Sequence, residues 1–494
     1  MMRLSMIESA PTDAAEGADR ILEWLAREPA DDPIEDLGAL EALVARLPDA
    51  GARAGHEDMV LAFVERALDI SGRIRAQLLG AGLPLPRALH AASSQLVGVL
   101  LQLAGRIGER AAEGVAQAGE AALLAALGLT TLREAYLVSV MSAAEPPSGL
   151  WKLAHRLAAL RPGHEAYRSM IAIAAAQPER LTARELAWAA DYLEVELAGV
   201  GMAPDAPPQG SSTWWIDPDA DEGPLPSARK PPPHGRGGLR FLSPRPLARA
   251  VDERIEHLEE WMSAAEVEGH LAEVDTLETD DETLPPGLTP SEILALLRGM
   301  REHWVAPQLR LGVRREQHYE VQVCAGLRAM WELGRGRREP GRVVGWQVRN
   351  ESPGGYAIMN VSGVEGEVAP GIVLGLRKSA AEPWTVCIVR WVRSESPEQI
   401  EIGLQTVAQS YYSVQLAFRS GSVDGVAPAL ALPPMEPDRH HPAFLAPAGT
   451  YVSRRFVFVR EGPPLYVAQG RALGLDMQTA SVELFQYEID PYPI

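Results

Sequence analysis

Three arginines, Arg310, Arg314 and Arg315, crowd the entry to a strand-like stretch, and the hexapeptide Asn350-Glu351-Ser352-Pro353-Gly354-Gly355 follows between two strand-like runs. Arginine presents a planar fork of donors that grips a phosphate in two places or reads a guanine edge. Its guanidinium also stacks on a purine face. Asn and Ser supply short, positioned donors and acceptors, and glycine lets the backbone approach a ligand closely. From 310 to 318 the segment carries three Arg and one Glu, a local +2 within a chain of net charge −20. Two plainer readings stand beside this one. Asn, Ser, Pro and Gly are the residues of any β-turn, and arginines on a surface form ion pairs worth at most about 1 kcal/mol each.

Other patterns carry less chemistry. Glu41-Ala42-Leu43 lies on a short amphipathic stretch without the carboxylates of a metal site. Gly235, Gly237 and Gly238 follow no strand and open no helix, unlike a phosphate loop. Arg439-His440-His441-Pro442 places two histidines side by side in a Pro-rich loop, without the third ligand and spacing of a metal centre. Cys324 and Cys387 sit far apart in apolar, strand-like surroundings and read as buried thiols. No catalytic constellation stands out, so a non-enzymatic protein is expected, with no cofactor and no metal.

The elements that position the arginines and the hexapeptide follow from periodicity. At 494 residues the chain is long enough for two to four domains. Residues 1–201 show apolar spacings of three and four in ILEWLARE, LGALEALVARL and MVLAFVERALDI, and are expected to be an all-α domain. Thr182 with Glu185 has the form of a capping box. Residues 202–243 are rich in Pro, Gly, Asp and Ser and read as a linker, with Trp214-Trp215-Ile216 as an anchor. Residues 244–305 return to helical spacing as a connector, its last helix capped by Thr289 or Ser291. Alternation then takes over: HYEVQVCAG, RVVGWQVRN, YAIMNVSG, IVLGLRK, WTVCIVRWVR and IEIGLQTV predict six strands at short intervals, the pattern of a closed antiparallel barrel over 306–408. Residues 409–494 predict a further, smaller β-unit. The fold class is thus multidomain, α followed by β.

The spacing of these strands around Asn-x-Ser-x-x-Gly resembles the PilZ domain of bacterial proteins, a β-barrel that binds the second messenger cyclic di-GMP. Gly366-Glu367-Val368 through Leu374, Val389-Arg390-Trp391-Val392-Arg393 and Ile402-Gly403-Leu404-Gln405 resemble the strands that follow the family motif. The resemblance covers about a fifth of the chain. It implies that Asn350 and Ser352 contact guanine or phosphate, that Gly355 shapes the turn, and that an Arg-x-x-x-Arg arm before the first strand wraps the ligand. Arg310 with Arg314 keeps both arginines of that arm and is favoured, with Arg315 as a third contact. Starting the arm at Arg314 places His318 at its second position, a departure from the family. His318 and Arg393 are further candidate contacts.

Charge and composition narrow the partners. The excess of acid disfavours DNA, RNA and anionic membranes. The N-terminal residues lack the apolar core of a secretion signal, and no apolar run is expected to span a bilayer, so a cytoplasmic protein without membrane insertion is expected. The resemblance implies a cyclic di-GMP receptor that passes its state to a protein partner through the helical domain. The alternative is a ligand-independent scaffold or adaptor built on a degenerate barrel.

Overall fold

The computed structural model describes residues 21, 23–45, 56–112, 118–197, 201–205, 213–267, 284–307, 314–337, 343–360, 368–418, 426–451, 455–462 and 464–490. The first third is helical: α1 Pro33–Val44, α2 His56–Leu79, α3 Arg87–Ala112, α4 Ala118–Met141, α5 Leu150–Leu160, α6 Glu165–Ala175 and α7 Ala183–Glu196. Local chemistry starts them where it should. Asp32 accepts from the Ile34 amide ahead of Pro33, and Thr182 and Glu185 form a reciprocal capping box on α7. Helix α4 is apolar on all sides, and from Thr131 to Ser142 every residue is buried, so it forms the centre of the domain. Its two buried charges are paired. Arg133 lies 2.7 Å from Glu194, and Glu134 takes Arg75 at 3.2 Å and the Ser71 hydroxyl at 3.1 Å.

Two expectations change here. Arg87–Ala112 and Gly119–Met141 do contain windows long and apolar enough to cross a membrane by length and composition, yet 50% and 61% of those windows are buried inside the fold. The small residues that raise their hydropathy are what lets long helices pack closely. The second change concerns 202–243, read as a linker. It holds a four-stranded sheet of β1 Met202–Ala203, β2 Trp214–Ile216, β3 Leu225–Pro226 and β4 Arg240–Leu242, in the order β1-β4-β2-β3. Its turn residues dominate composition, but the apolar minority fixes it. Trp214 and Ile216 enter the helical core, and Trp215 packs with Leu239 and Phe241. The two indole N–H groups donate to the Trp304 and Lys230 carbonyls at 3.1 and 2.6 Å.

Helices α8 Arg245–Val267 and α9 Pro290–Val305 share the same core as the N-terminal helices. Thr289 caps α9, with Pro290 in its first turn and Glu292 closing the capping box. Trp304, fully buried, donates to the Ala172 carbonyl at 2.9 Å and ties the end of α9 to α6.

The six predicted strands close into a barrel: β5 Arg315–Ala325, β6 Val343–Ser352, β7 Gly355–Asn360, β8 Val373–Arg377, β9 Thr385–Ser396 and β10 Gln399–Ala408, in the order β10-β7-β6-β5-β8-β9. Trp346, Val348, Ile358, Cys387, Ile402 and Leu404 fill it. A short helix, α10 Leu327–Gly334, was not foreseen between β5 and β6.

The C-terminal unit is a second closed six-stranded barrel of β11 Tyr412–Phe418, β12 Val426–Leu432, β13 Ala443–Pro447, β14 Arg455–Arg460, β15 Tyr466–Gln478 and β16 Val482–Ile489, in the order β11-β12-β13-β16-β15-β14. Numbered from its own first strand, this ring has the same connectivity as the first barrel. Its core is aromatic, with Phe444 stacked on Tyr487 at 4.0 Å among Phe418, Phe456, Phe458 and Phe485. The barrels meet through an apolar seam in which Met330 and Trp331 of α10 join Val373, Ile388, Leu430 and Leu445. That seam supplies the burial that makes α10 a helix.

The first barrel is also docked on the helical domain. The Val368 and Ser394 amides donate to the Leu83 and Ala143 carbonyls at 3.1 and 2.9 Å, and Arg87 meets Glu398 at 2.8 Å.

Candidate functional site

Asn350 and Ser352 end β6, Pro353 and Gly354 turn, and Gly355 opens β7. The register pairs Ser352 with Gly355, Glu351 with Tyr356 and Asn350 with Ala357, after a bulge between Val348 and Asn350. Strand alternation then sorts the side chains. Val348 and Ile358 face the core, so Asn350, Ser352 and Gly355 share the outer face of the barrel. The Ser352 hydroxyl donates to the Gly355 carbonyl at 3.2 Å, and the Gly354 carbonyl accepts the Thr406 amide at 3.0 Å. The hairpin is thereby fastened to β10.

Gly355 is required for a reason other than the turn. It does not have a positive φ. A Cβ there would lie 1.8 Å from the Leu404 carbonyl oxygen, because β7 and β10 run in close contact at Gly355–Gln405. Gly403 serves in a similar way as a seat for Trp391, whose indole would lie 1.9 Å from a Cβ.

Arg315 starts β5 opposite Glu351, and Glu316 stands opposite Asn350. Alternation therefore puts Arg315 on the face of Glu351, while Arg314, one residue earlier, shares the outer face with Asn350 and Ser352. Both arginines are exposed, and among the described residues neither makes an ion pair. Arg310 lies outside the described residues. His318 is exposed, within the irregular register between Glu316 and Tyr319. Tyr319 donates to Glu351 at 2.6 Å at the barrel mouth, and burial together with that carboxylate raises its phenol well above the usual range. Arg393 is not gathered with the others. It stands opposite Glu401, four residues along β10 from the Gln405 that faces Gly355. There it packs over Trp391 at 5.3 Å and pairs with Glu145 of the helical domain at 3.7 Å. Its candidacy rested on strand order, which does not tell one end of a strand from the other.

Among the described residues no group of His, Cys, Asp and Glu is placed to hold a metal. His440 instead pairs with Glu436, which raises its pKa, and Arg439 is a buried brace that donates to the Val407 and Pro433 carbonyls at 3.0 and 2.7 Å. The turn that contains them joins β12 to β13, the place held in the first barrel by Asn350–Gly355. The second barrel thus repeats the topology without the Asn-x-Ser-x-x-Gly sequence.

A closed six-stranded barrel carrying Asn-x-Ser-x-x-Gly on the outer face of its second and third strands defines a PilZ domain. Two family models match the chain, "Cyclic-di-GMP receptor FimW, N-terminal domain" over residues 19–200 and "Cyclic-di-GMP receptor FimW, middle PilZ domain" over residues 334–411. Together they span just over half of the sequence, in the order in which the helical domain and the first barrel occur. The chain belongs to the PilZ-domain family, in the arrangement that these two models describe, and that arrangement is a receptor rather than an enzyme family. A search of curated proteins found no match.

Proposed function

We propose that the first barrel binds cyclic di-GMP on the outer face of β5, β6 and β7, and that the protein is a non-enzymatic receptor. The observation that carries this reading is the shared face. Arg314 is exposed and, among the described residues, uncommitted to any carboxylate, beside the half-exposed Asn350 and Ser352. Arg314, with Arg310, grips the phosphates and guanine edges, whereas Arg315 stands on the face of Glu351. Asn350 and Ser352 fix the ligand's position, and Gly355 keeps the hairpin flat against β10. The family description of both matched models, a cyclic-di-GMP receptor, supports the choice of ligand.

The output follows from the docking of the barrel. Helix α9 ends at Val305, shortly before the arm, and its Trp304 is locked in the helical core. Ligand that orders the arm biases how α9 and the barrel sit on the helical domain, provided it binds the two arrangements with different affinity. The helical domain then presents or hides a surface for a protein partner. The scaffold alternative suits the second barrel better, since it keeps the topology and lacks the motif. Hydrogen exchange over 290–320 with and without cyclic di-GMP tests the coupling. Slower exchange at 290–305 as well as at 314–320 is expected, and unchanged protection of α9 would separate binding from the helical domain.

A further inference from the structure

A cleft of about 530 Å³ opens where four parts of the chain meet. Arg180 and Leu181 come from the helical domain, Arg298, Glu302 and His303 from α9, Gly371, Arg390 and Gln405 from the first barrel, and Leu475 to Ala480 from the second. The size suits a small-molecule ligand.

The arginines in it differ. Arg298 is committed, donating to Glu259 and to Gln478 at 2.6 Å each. Arg390 is not. Among the described residues its guanidinium has one hydrogen-bond partner, the Met477 thioether at 3.7 Å, a weak acceptor. Arg180 reaches in from the other wall and contacts His303 Nε2.

Acidic residues line the cleft as well, yet among the described residues none of them makes an ion pair with Arg390. Glu302 draws both Arg180 and Arg390 upward and Glu179 draws Arg180 upward, against burial. Glu185 is turned into the Thr182 cap and Asp476 accepts from Gln486 at 2.8 Å. The imidazole between them registers the balance. Burial, with Arg180, Arg390 and Arg229, pushes His303 down to about 3, so it adds no charge of its own near neutrality. Arg180 itself is drawn down to about 10 by burial and by Arg390. A partly buried guanidinium whose one hydrogen-bond acceptor among the described residues is a thioether leaves donors that an anion in the cleft would satisfy.

We propose that this cleft is a phosphate-binding site, in which Arg390 and Arg180 together hold the phosphate group of a mono- or diester ligand and so clamp the helical domain to both barrels. The cleft borders the Asn350–Gly355 face at Gln405, which pairs with Gly355, but its two arginines lie outside the motif. Arginine is the fitting residue because its fork matches a phosphate bidentately.

The test uses the full chain and two probes, inorganic pyrophosphate and cyclic di-GMP, followed by calorimetry and thermal melting. The Asn350→Ala/Ser352→Ala double variant removes the motif face and isolates the cleft. Pyrophosphate is expected to bind and to raise the melting temperature of this variant. Adding Arg390→Gln should weaken that binding by about tenfold or more, the loss of a charge-assisted contact. Met477→Glu, which sets a carboxylate beside Arg390 and leaves every arginine in place, should abolish it. If cyclic di-GMP also binds the double variant in an Arg390-dependent way, the dinucleotide is the source of the phosphate. If only pyrophosphate does, the source is a smaller phosphate. Binding of neither probe, or binding that both Arg390→Gln and Met477→Glu leave unchanged, overturns the proposal. A wild type that fails to bind cyclic di-GMP but binds pyrophosphate through Arg390 would instead count against the motif site alone.

Discussion

Replacing Gly355 by alanine asks whether the motif glycine serves packing or ligand. The added Cβ would lie 1.8 Å from the Leu404 oxygen, 2.9 Å from the Leu404 carbonyl carbon and 3.3 Å from the Gln405 Cα. All three are backbone atoms, so no side chain can rotate away, and comfortable separations start near 3.5 Å. Relief requires β7 and β10 to part, which loosens the pairs Gly355–Gln405 and Tyr356–Leu404 and the Thr406 amide bond to Gly354. Overpacking costs about 1–3 kcal/mol, and a buried backbone group stripped of its partner a further 1–3. A local loss of about 3 kcal/mol corresponds to about a hundredfold faster opening. Because the chain has several domains, a single unfolding free energy is not the right readout. Hydrogen exchange of residues 355–360 and 399–408, without ligand, reads the effect directly. Protection there equal to that of the wild type would refute the packing argument and return Gly355 to the ligand.

Other consequences concern the core and its charges. Trp304→Ala removes a fully buried indole and its bond to Ala172, so the helical domain should lose about 3–5 kcal/mol, seen as faster exchange throughout α6 and α9. Effects confined to α9 would show that the two helices are not one unit. His303 is held neutral in the fold, down to about 3, whereas its ordinary value is 6.5. Protons therefore bind the unfolded chain first: this group's stability is intact above about pH 6.5 and declines as pH falls toward 3. His303→Gln should flatten that part of the decline, measured as a smaller drop in melting temperature between pH 7 and pH 5, and an identical drop would remove His303 from the account. Ser352→Ala loses one neutral hydrogen bond and should weaken cyclic di-GMP by about 1 kcal/mol, clearly less than Arg314→Ala. Calorimetry that ranks them the other way would show that Arg314 is not on the ligand face.

Much of this architecture can be read from local pattern. The six strands of the first barrel alternate cleanly, and Thr182 with Glu185 announces its helix because capping is a contact between near neighbours in sequence. The hexapeptide was visible for the same reason. What escaped depends on burial supplied from elsewhere. The sheet at 202–242 is held by a few apolar residues against a distant core, and α10 owes its place to the seam between barrels. The role of Gly355 lies in an approach of β10, fifty positions away in sequence. Local pattern shows Arg390 only as part of a strand, because the cleft it lines is assembled from four separate segments. The equal topology of the two barrels was hidden by divergent sequence, and strand order alone shows it.

The most direct measurement is a calorimetric titration of the full chain with cyclic di-GMP, with Arg314→Ala alongside. The account predicts saturable binding, weakened by about 1.5–3 kcal/mol, tenfold or more, when the charge-assisted contact is lost. Absence of binding at high micromolar ligand, or binding indifferent to Arg314, would contradict it.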